Sequence, residues 1–266
     1  MATILETIIQ TKRQEVEAAK QARPLADLEA AIAGASAPRD FYAAVTRRRG
    51  SVRLIAEIKK SSPSAGLIRH DFEPVAIARI YEANGAAALS VLTDRTYFGG
   101  DLSFIAMIKQ AVPLPVLRKD FVIDEYQVLE SRAGGADAIL LIAEVLSPAQ
   151  VDVFSQSASA LGMSSLIEVH DDRQLQAVRH LLSPDRRTLL GINNRDLHRQ
   201  RVDLETTRRL AASLPRGVPF VAESGIRTRP DVRMLGEAGA AALLIGETFM
   251  RADDIGAKVK ELLGTT

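Results

Sequence analysis

Residues 132–145 read RAGGADAILLIAEV. A glycine pair closes a polar stretch, small residues follow, and Ala, Ile and Leu then run on without polar alternation. Glycine supplies the left-handed cap that ends a helix, and alanine permits close helix-to-strand packing. A strand with one face in water alternates between apolar and polar residues. This run does not, as expected of a parallel strand buried on both faces. The same order of events recurs in EANGAAALSVLTD (82–94) and GEAGAAALLIGE (236–247).

Outward from these three segments, eight such runs mark the chain. They begin at Arg53 (RLIAEIK), Ala88 (ALSVLTD), Pro115 (PVLRKD), Ala138 (AILLIAE), Ser165 (SLIEVH), Thr188 (TLLGINN), Pro219 (PFVAES) and Ala242 (ALLIGE). Their spacing of about 20 to 35 residues accommodates one βα unit each. Eight units without a long linker predict an α/β protein of one domain over residues 1–266, a closed (β/α)8 TIM barrel. An open doubly wound sheet is the alternative, but it usually carries GxGxxG after its first strand, and none is present. Residues 1–47 precede the first run and predict an N-terminal helical extension. ILETIIQTKRQEVEAA and PLADLEAAIAGA read as helices, ASAPRD as a turn and FYAAVTRR as a third helix. On the C-terminal face of the barrel the extension would cap a site; underneath, it would only stabilise.

Composition narrows the function. The chain of 266 residues has no cysteine, which removes disulfides, thiolate metal sites and thiol nucleophiles. His70, His170, His180 and His198 lack paired-ligand spacing, so no metal site is expected. A net charge of +1 gives no basic footprint for nucleic acid. No apolar run reaches the roughly 18 residues that span a membrane, and the N-terminus lacks the apolar core of a signal peptide. A cytoplasmic protein is expected, a monomer whose partner is a small phosphorylated molecule.

Charged residues nevertheless sit in and at the ends of the apolar runs. Glu57 and Lys59 lie on the same side of the first. Lys119 and Asp120 end the third, Glu168 lies in the fifth, Asn193 ends the sixth, and Glu223 and Ser224 end the seventh. In a barrel the C-terminal strand ends converge on one mouth. Interleaved opposite charges there tune one another's pKa and suit general acid and base work on a carbonyl substrate. A structural plug of ion pairs is the bland reading of any one of them, but two lysines, three glutamates, an asparagine and a serine together favour a site. Gly225 and Gly246, after the seventh and eighth runs, let backbone N–H groups approach an anion, and Lys59 could add charge. Phe98, Phe121, Leu140 and Leu197 are placed to hold a planar ring. SSPSAG (61–66) and TYFGG (96–100) have the composition of loops that hinge over ligands.

IAEIKKSSPSAG, SVLTDRTYFGG, VLRKDFVID, LIEVH, GINNRDL, VAESGI and ALLIGETFM, in this order, resemble the indole-3-glycerol-phosphate synthases of tryptophan biosynthesis. The likeness covers essentially the whole chain, departing at Arg95 and at Thr248–Phe249. It implies a cofactor-free lyase that closes the indole ring of 1-(2-carboxyphenylamino)-1-deoxyribulose 5-phosphate with loss of carbon dioxide and water. By resemblance, Lys119 is the general acid on the ketone and Glu168 its partner. Lys59 bridges the substrate's anionic ends, and the resemblance leaves open whether Lys59 or Glu168 drives dehydration. Glu57 orients the lysines and reaches a sugar hydroxyl; Asn193 and Glu223 hold hydroxyls; Ser224 contacts the substrate through its own hydroxyl; Arg195 is a carboxylate or network partner, and Ser62 lies near the substrate carboxylate. Gly225, Gly246 and the backbone of Glu247 form the phosphate cradle, and Phe98, Phe121, Leu140 and Leu197 the anthranilate pocket.

Three rivals share parts of this pattern. Phosphoribosylanthranilate isomerase uses a Cys–Asp pair, and there is no cysteine. A flavin-dependent barrel would leave the lysines and glutamates without purpose. A non-catalytic phosphate-ligand binding barrel would not need both Lys119 and Glu168.

Overall fold

The computed structural model describes residues 3–46, 52–196, 201–215 and 217–265. The three echoed segments make the same turn. Gly85, Gly135 and Gly239 all have positive φ (89°, 90° and 98°). The next residue donates its N–H back five positions: Ala86 to Tyr81, Ala136 to Ser131 and Ala240 to Leu235, at 2.9–3.1 Å. This is the closure that ends a helix at a left-handed glycine. The residue after that bonds to the preceding strand, Ala87 to Leu54, Asp137 to Val116 and Ala241 to Phe220, at 2.8–2.9 Å. Each glycine thus delivers the chain from a helix into the sheet in register.

Eight parallel strands result: β1 (Arg53–Ile58), β2 (Ala88–Leu92), β3 (Val116–Lys119), β4 (Ala138–Ile142), β5 (Ser164–Val169), β6 (Thr188–Asn193), β7 (Phe220–Glu223) and β8 (Ala242–Ile245). Each pairs with its neighbours in sequence, and β1 also pairs with β8, so the barrel closes. A helix follows every strand, from Pro74–Ala83 after β1 to Ile255–Leu263 after β8. Their starts carry N-caps the sequence supplies. Asp124, Ser147 and Thr228 each accept from a backbone N–H of the first turn within a capping box. Outward strand residues such as Leu54, Leu89 and Ile167 pack under the helices, and inward ones such as Ile55, Leu117 and Leu189 fill the barrel.

The extension folds as α1 (Ile4–Ala22), α2 (Leu25–Ala33) and α3 (Phe41–Thr46), and it reaches both ends of the barrel. Phe41 and Val45 of α3 are fully buried among the inward residues Ile55, Ala88 and Ala138. Burial of this kind contributes about 1.5–3 kcal/mol per side chain. Arg39 secures the same end, donating to the carbonyls of Lys109, Val112 and Leu114 at 2.8 Å. α1 lies at the opposite end, where Lys12 is buried between Asp94 (2.8 Å) and Asp120 (3.0 Å), just past β2 and β3. Capping and bottom-stabilising placements, alternatives in the sequence, are both realised by different helices.

One local expectation needs correction: Asp120 does not end its strand. β3 stops at Lys119, and the Asp120 carboxylate turns to Lys12 and Arg118. SSPSAG forms a short antiparallel hairpin pairing Ser61 with Leu67 and Ser62 with Gly66. Across the start of TYFGG, Arg95–Phe98 form a helical turn capped by Asp94, and the Tyr97 hydroxyl meets Thr11 of α1 at 2.8 Å. Among the described residues no helix is long and apolar enough to cross a membrane.

Lys12 is the fixing point of α1. Burial opposes its charge, but Asp120, Asp94 and Glu15 outweigh it and push its pKa up. Removing this cation leaves the buried Asp94 without its ion-pair partner and Asp120 with Arg118 alone, a loss of about 3 kcal/mol. Lys12→Met should therefore lower unfolding stability by that amount in urea titration and speed hydrogen exchange across residues 4–22. A change within about 0.5 kcal/mol, the range of an ordinary surface substitution, would show that α1 is held by other means.

Candidate active site

The C-terminal strand ends and their loops enclose a cavity of about 630 Å³, a volume suited to a small organic ligand. Its polar floor is built by β1, β3, β5, β6 and β7. Lys119 Nζ lies 2.7 Å from Glu168 Oε2 and 3.0 Å from Glu223 Oε2. Asn193 donates its amide to Glu168 Oε1 at 3.1 Å. Just past β1, Lys59 meets Glu57 Oε1 at 2.6 Å. The predicted lysines and carboxylates are therefore brought together within one opening.

Two buried carboxylates that share one ammonium also repel each other, and this drives their pKa values apart. Burial raises the pKa of Glu168, but Lys119, then His170, then hydrogen bonds from Lys119 and Asn193 outweigh it and bring it down to about 2. Glu223 is moved the other way. Burial and the neighbouring Glu168 charge prevail over Lys119 and push it up to about 8. Lys119 itself is held charged, the cost of its burial being exceeded by Glu168, Glu223 and Glu57. Near neutral pH the trio therefore holds an ammonium, a carboxylate and a carboxylic acid within hydrogen-bond reach of one another. Paired carboxylates driven apart in this way are the usual basis of separate acid and base roles.

Two glycines make room for the carboxylates. A Cβ on Gly191 of β6 would overlap Glu223 Oε1, and one on Gly246 would overlap Glu57. Gly246 thus has a packing role beside its predicted place near an anion, and Gly191 went unnoticed in the sequence. The glycine turns expected to face an anion lie beyond β7 and β8. Ser224 (φ 67°) and Gly225 (φ 79°) are consecutive left-handed residues, and a short helical turn, Glu247–Met250, starts after Gly246. A non-glycine residue in that region stores about 1–2 kcal/mol of backbone strain. Thr248 ties the two loops, its hydroxyl donating to the Ile226 carbonyl at 2.6 Å. The Glu247 carboxylate is occupied by Arg251 (2.9 Å) and Arg195 (3.5 Å).

The opposite wall is apolar. Phe98 and Phe121 stand with ring centroids 6.2 Å apart, tilted by 40°, and Leu140 joins them. Ser62, Arg195, Ser224, Gly225, Gly246 and Glu247 also line the cavity. Leu197, expected beside the aromatic residues, lies outside the described residues. Sequence reading missed the contribution of α1, which brings Ile4, Leu5 and Ile8 to this wall, and the cations Arg227, Arg251 and Lys258 of the rim. The amphipathic pattern of α1 signalled an apolar face but not what it covers. No group of three or more potential metal-ligating side chains occurs among the described residues.

Comparison with known proteins agrees with this geometry. The family model described as indole-3-glycerol phosphate synthase matches residues 5–262. A relative of that name from Acidithiobacillus ferrooxidans is 49% identical over 264 residues, covering 98% of this chain and 99% of its own. Another so named, from Rhodospirillum rubrum, is 49% identical over 267 residues, covering 99% and 100%. A solved 3-hexulose-6-phosphate synthase superposes with a TM-score of 0.63 at 18% identity, over 80% of this chain and 99% of that one. That likeness is one of fold.

The proton on Glu223 sets a pH dependence of stability. Its folded pKa, about 8, lies above the ordinary carboxylate value of 4.5, so the folded protein holds an extra proton between those limits. The stabilisation is complete below pH 4.5 and lost as pH rises through 8, with a slope of up to about 1.4 kcal/mol per pH unit. Glu223→Gln keeps the uncharged shape and removes the titration. Urea unfolding at several pH values from 5 to 8.5 should show a flatter loss of stability in the variant. Parallel curves for variant and wild type would mean that Glu223 is ionised throughout.

Proposed function

The chain belongs to the indole-3-glycerol phosphate synthase family, and we propose that its barrel mouth closes the indole ring of 1-(2-carboxyphenylamino)-1-deoxyribulose 5-phosphate. The observation that carries this reading is Lys119 Nζ held 2.7 Å from Glu168 and 3.0 Å from Glu223 on the floor of a cavity. One side of that cavity is apolar and aromatic, and the other has glycine turns ringed by cations. The anthranilate ring fits the wall of Phe98, Phe121 and Leu140, while the phosphate fits the turns at Gly225 and Gly246 with the Glu247 backbone. Lys59, beside Glu57, bridges the anionic ends. Arg195 and Ser62 serve the carboxylate, and Asn193, Glu223 and Ser224 take the hydroxyls.

The ring carbon bearing the carboxylate attacks the ketone, a carbon–carbon bond forms, and the carbonyl π pair moves to oxygen. That oxygen takes a proton from Lys119, whose charge also stabilises the alkoxide as it develops. The carboxylate leaves as carbon dioxide, and its bonding pair returns to the ring. Lys119, now an amine, no longer holds Glu168 ionised. Burial, the largest influence on that carboxyl, then favours its acid form. Glu168 accordingly takes up a proton and passes it to the departing hydroxyl, which leaves as water. Lys119 recovers its own proton from the adjacent ring carbon, and the indole is complete. This is carboxy-lyase chemistry, with the cytoplasm as the expected setting and a monomer without metal or organic cofactor as the expected acting form.

Two substitutions test the assignment. Lys119→Ala removes both a proton donor and a charge, so turnover followed by indole fluorescence should fall by about two orders of magnitude or more. Wild-type-like turnover would refute the role. Lys59→Ala should raise KM as well as lower kcat; an unchanged substrate affinity, measured by titration into the Lys119→Ala background, would remove Lys59 from the anionic ends.

A further inference from the structure

The left-handed turn beyond β7 is held by a buried residue that does not line the cavity. Asn194 follows the last residue of β6 and is 2% exposed. It bonds to two successive carbonyls of the turn. Its backbone N–H donates to Glu223 O at 2.9 Å, and its side-chain Nδ2 donates to Ser224 O at 3.2 Å. Its Oδ1 accepts from the N–H and the hydroxyl of Thr207, at 3.1 and 2.7 Å, on the helix Glu205–Ala212 that follows β6. Its own carbonyl accepts from the N–H of Asp203 at 2.9 Å. A backbone N–H can only donate and a backbone carbonyl can only accept, so these partners fix which end of the amide faces which. The side chain therefore ties the turn to the first residues of a helix, with both of its polar ends used.

The consequence falls on the next peptide. Ser224 has φ 67°, a conformation that a residue with a side chain adopts only at a cost. No peptide bond among the described residues is cis, and in a trans peptide the C=O and the following N–H point in opposite directions. The Ser224 carbonyl is drawn toward Asn194, so the Gly225 N–H is turned away from it. Ser224 and Gly225 line the cavity and Asn194 does not, which puts that N–H on the cavity side. It donates to no described residue. Val202 packs against the glycine, since a Cβ on Gly225 would overlap Val202 Cγ1. We propose that Asn194 is a positioning residue: by pinning the Ser224 carbonyl, it holds the Gly225 N–H toward the substrate's phosphate. The inference deepens the reaction proposed above and rests on its placement of the phosphate. A donor aimed before the ligand arrives loses little freedom on binding, which is the advantage of a preorganised site.

The test uses the full chain, with inorganic phosphate as the probe. In the wild type the ¹H–¹⁵N signal of Gly225 should shift as phosphate is added and then saturate. Asn194→Ala should weaken phosphate binding and raise KM for the substrate, each about tenfold, as expected for one hydrogen bond to a charged group, with kcat within about twofold. Thr207→Val removes one of the two bonds that hold the amide oxygen. It should act in the same direction by about threefold, and it decides the matter if the alanine variant does not fold. A Gly225 signal indifferent to phosphate in the wild type would overturn the inference. Variants with wild-type phosphate affinity would do the same. So would variants that lose kcat and Tm together while KM stays put, the pattern of a merely structural role. Failure of the wild type to turn over the carboxyphenylamino-deoxyribulose phosphate would instead refute the reaction, while the phosphate titration would still decide whether Asn194 aims the N–H.

Discussion

A single ammonium shared by two buried carboxylates governs this barrel mouth. Lys119 approaches Glu168 and Glu223 at 2.7 and 3.0 Å, and burial and the charge of Glu168 work against a second carboxylate charge beside it. The compromise places a proton on Glu223 and leaves Glu168 ionised. The same competition makes the site responsive. Whatever removes the Lys119 charge also removes the main force holding Glu168 below its ordinary pKa, so one proton transfer prepares the next. No moving part is required, because the coupling is electrostatic and the groups are already in contact.

The backbone has to permit that contact. Inward side chains of neighbouring strands compete for the same narrow space, and a carboxylate can enter only where a neighbour gives way. Gly191 yields to Glu223, and Gly246 yields to Glu57. The last turn beyond β7 then takes a left-handed conformation through Ser224 and Gly225. Strain of that kind persists only where surrounding structure enforces it. Here the Thr248 hydroxyl, bonded to the Ile226 carbonyl, ties the loop after β7 to the turn after β8.

Much of this was legible in the sequence for definite reasons. Both faces of a parallel barrel strand are buried, so each strand writes an unbroken apolar run, and a charge interrupting it stands out. Glu57, Lys119, Glu168, Asn193 and Glu223 were found in that way. The glycines ending three helices were equally plain, because their left-handed geometry excludes most other residues. What stayed hidden depends on contacts between distant segments. Lys12 looks like any polar residue of an amphipathic helix, yet it is buried between Asp94 and Asp120. Asp120 adjoins Lys119 in the chain but points to a different neighbourhood, since the strand ends between them. Gly191 reads as a strand interruption until the side chain filling its vacancy is known.

The helical extension joins stability to the site. α3 fills the closed end of the barrel, and α1 crosses the open end, bringing Ile4, Leu5 and Ile8 over the cavity. An apolar wall at the mouth excludes water from one side of the Lys119 trio, and exclusion of water is what makes the pKa separation between Glu168 and Glu223 large. The wall stays in place because Lys12 is clasped by the two aspartates that follow β2 and β3. The strand that positions Lys119 therefore also positions Asp120, which anchors the helix that dries the site. The Lys119 charge and its shielding are fixed by adjacent residues of one chain segment, so a shift of β3 that misplaced the ammonium would loosen its cover as well.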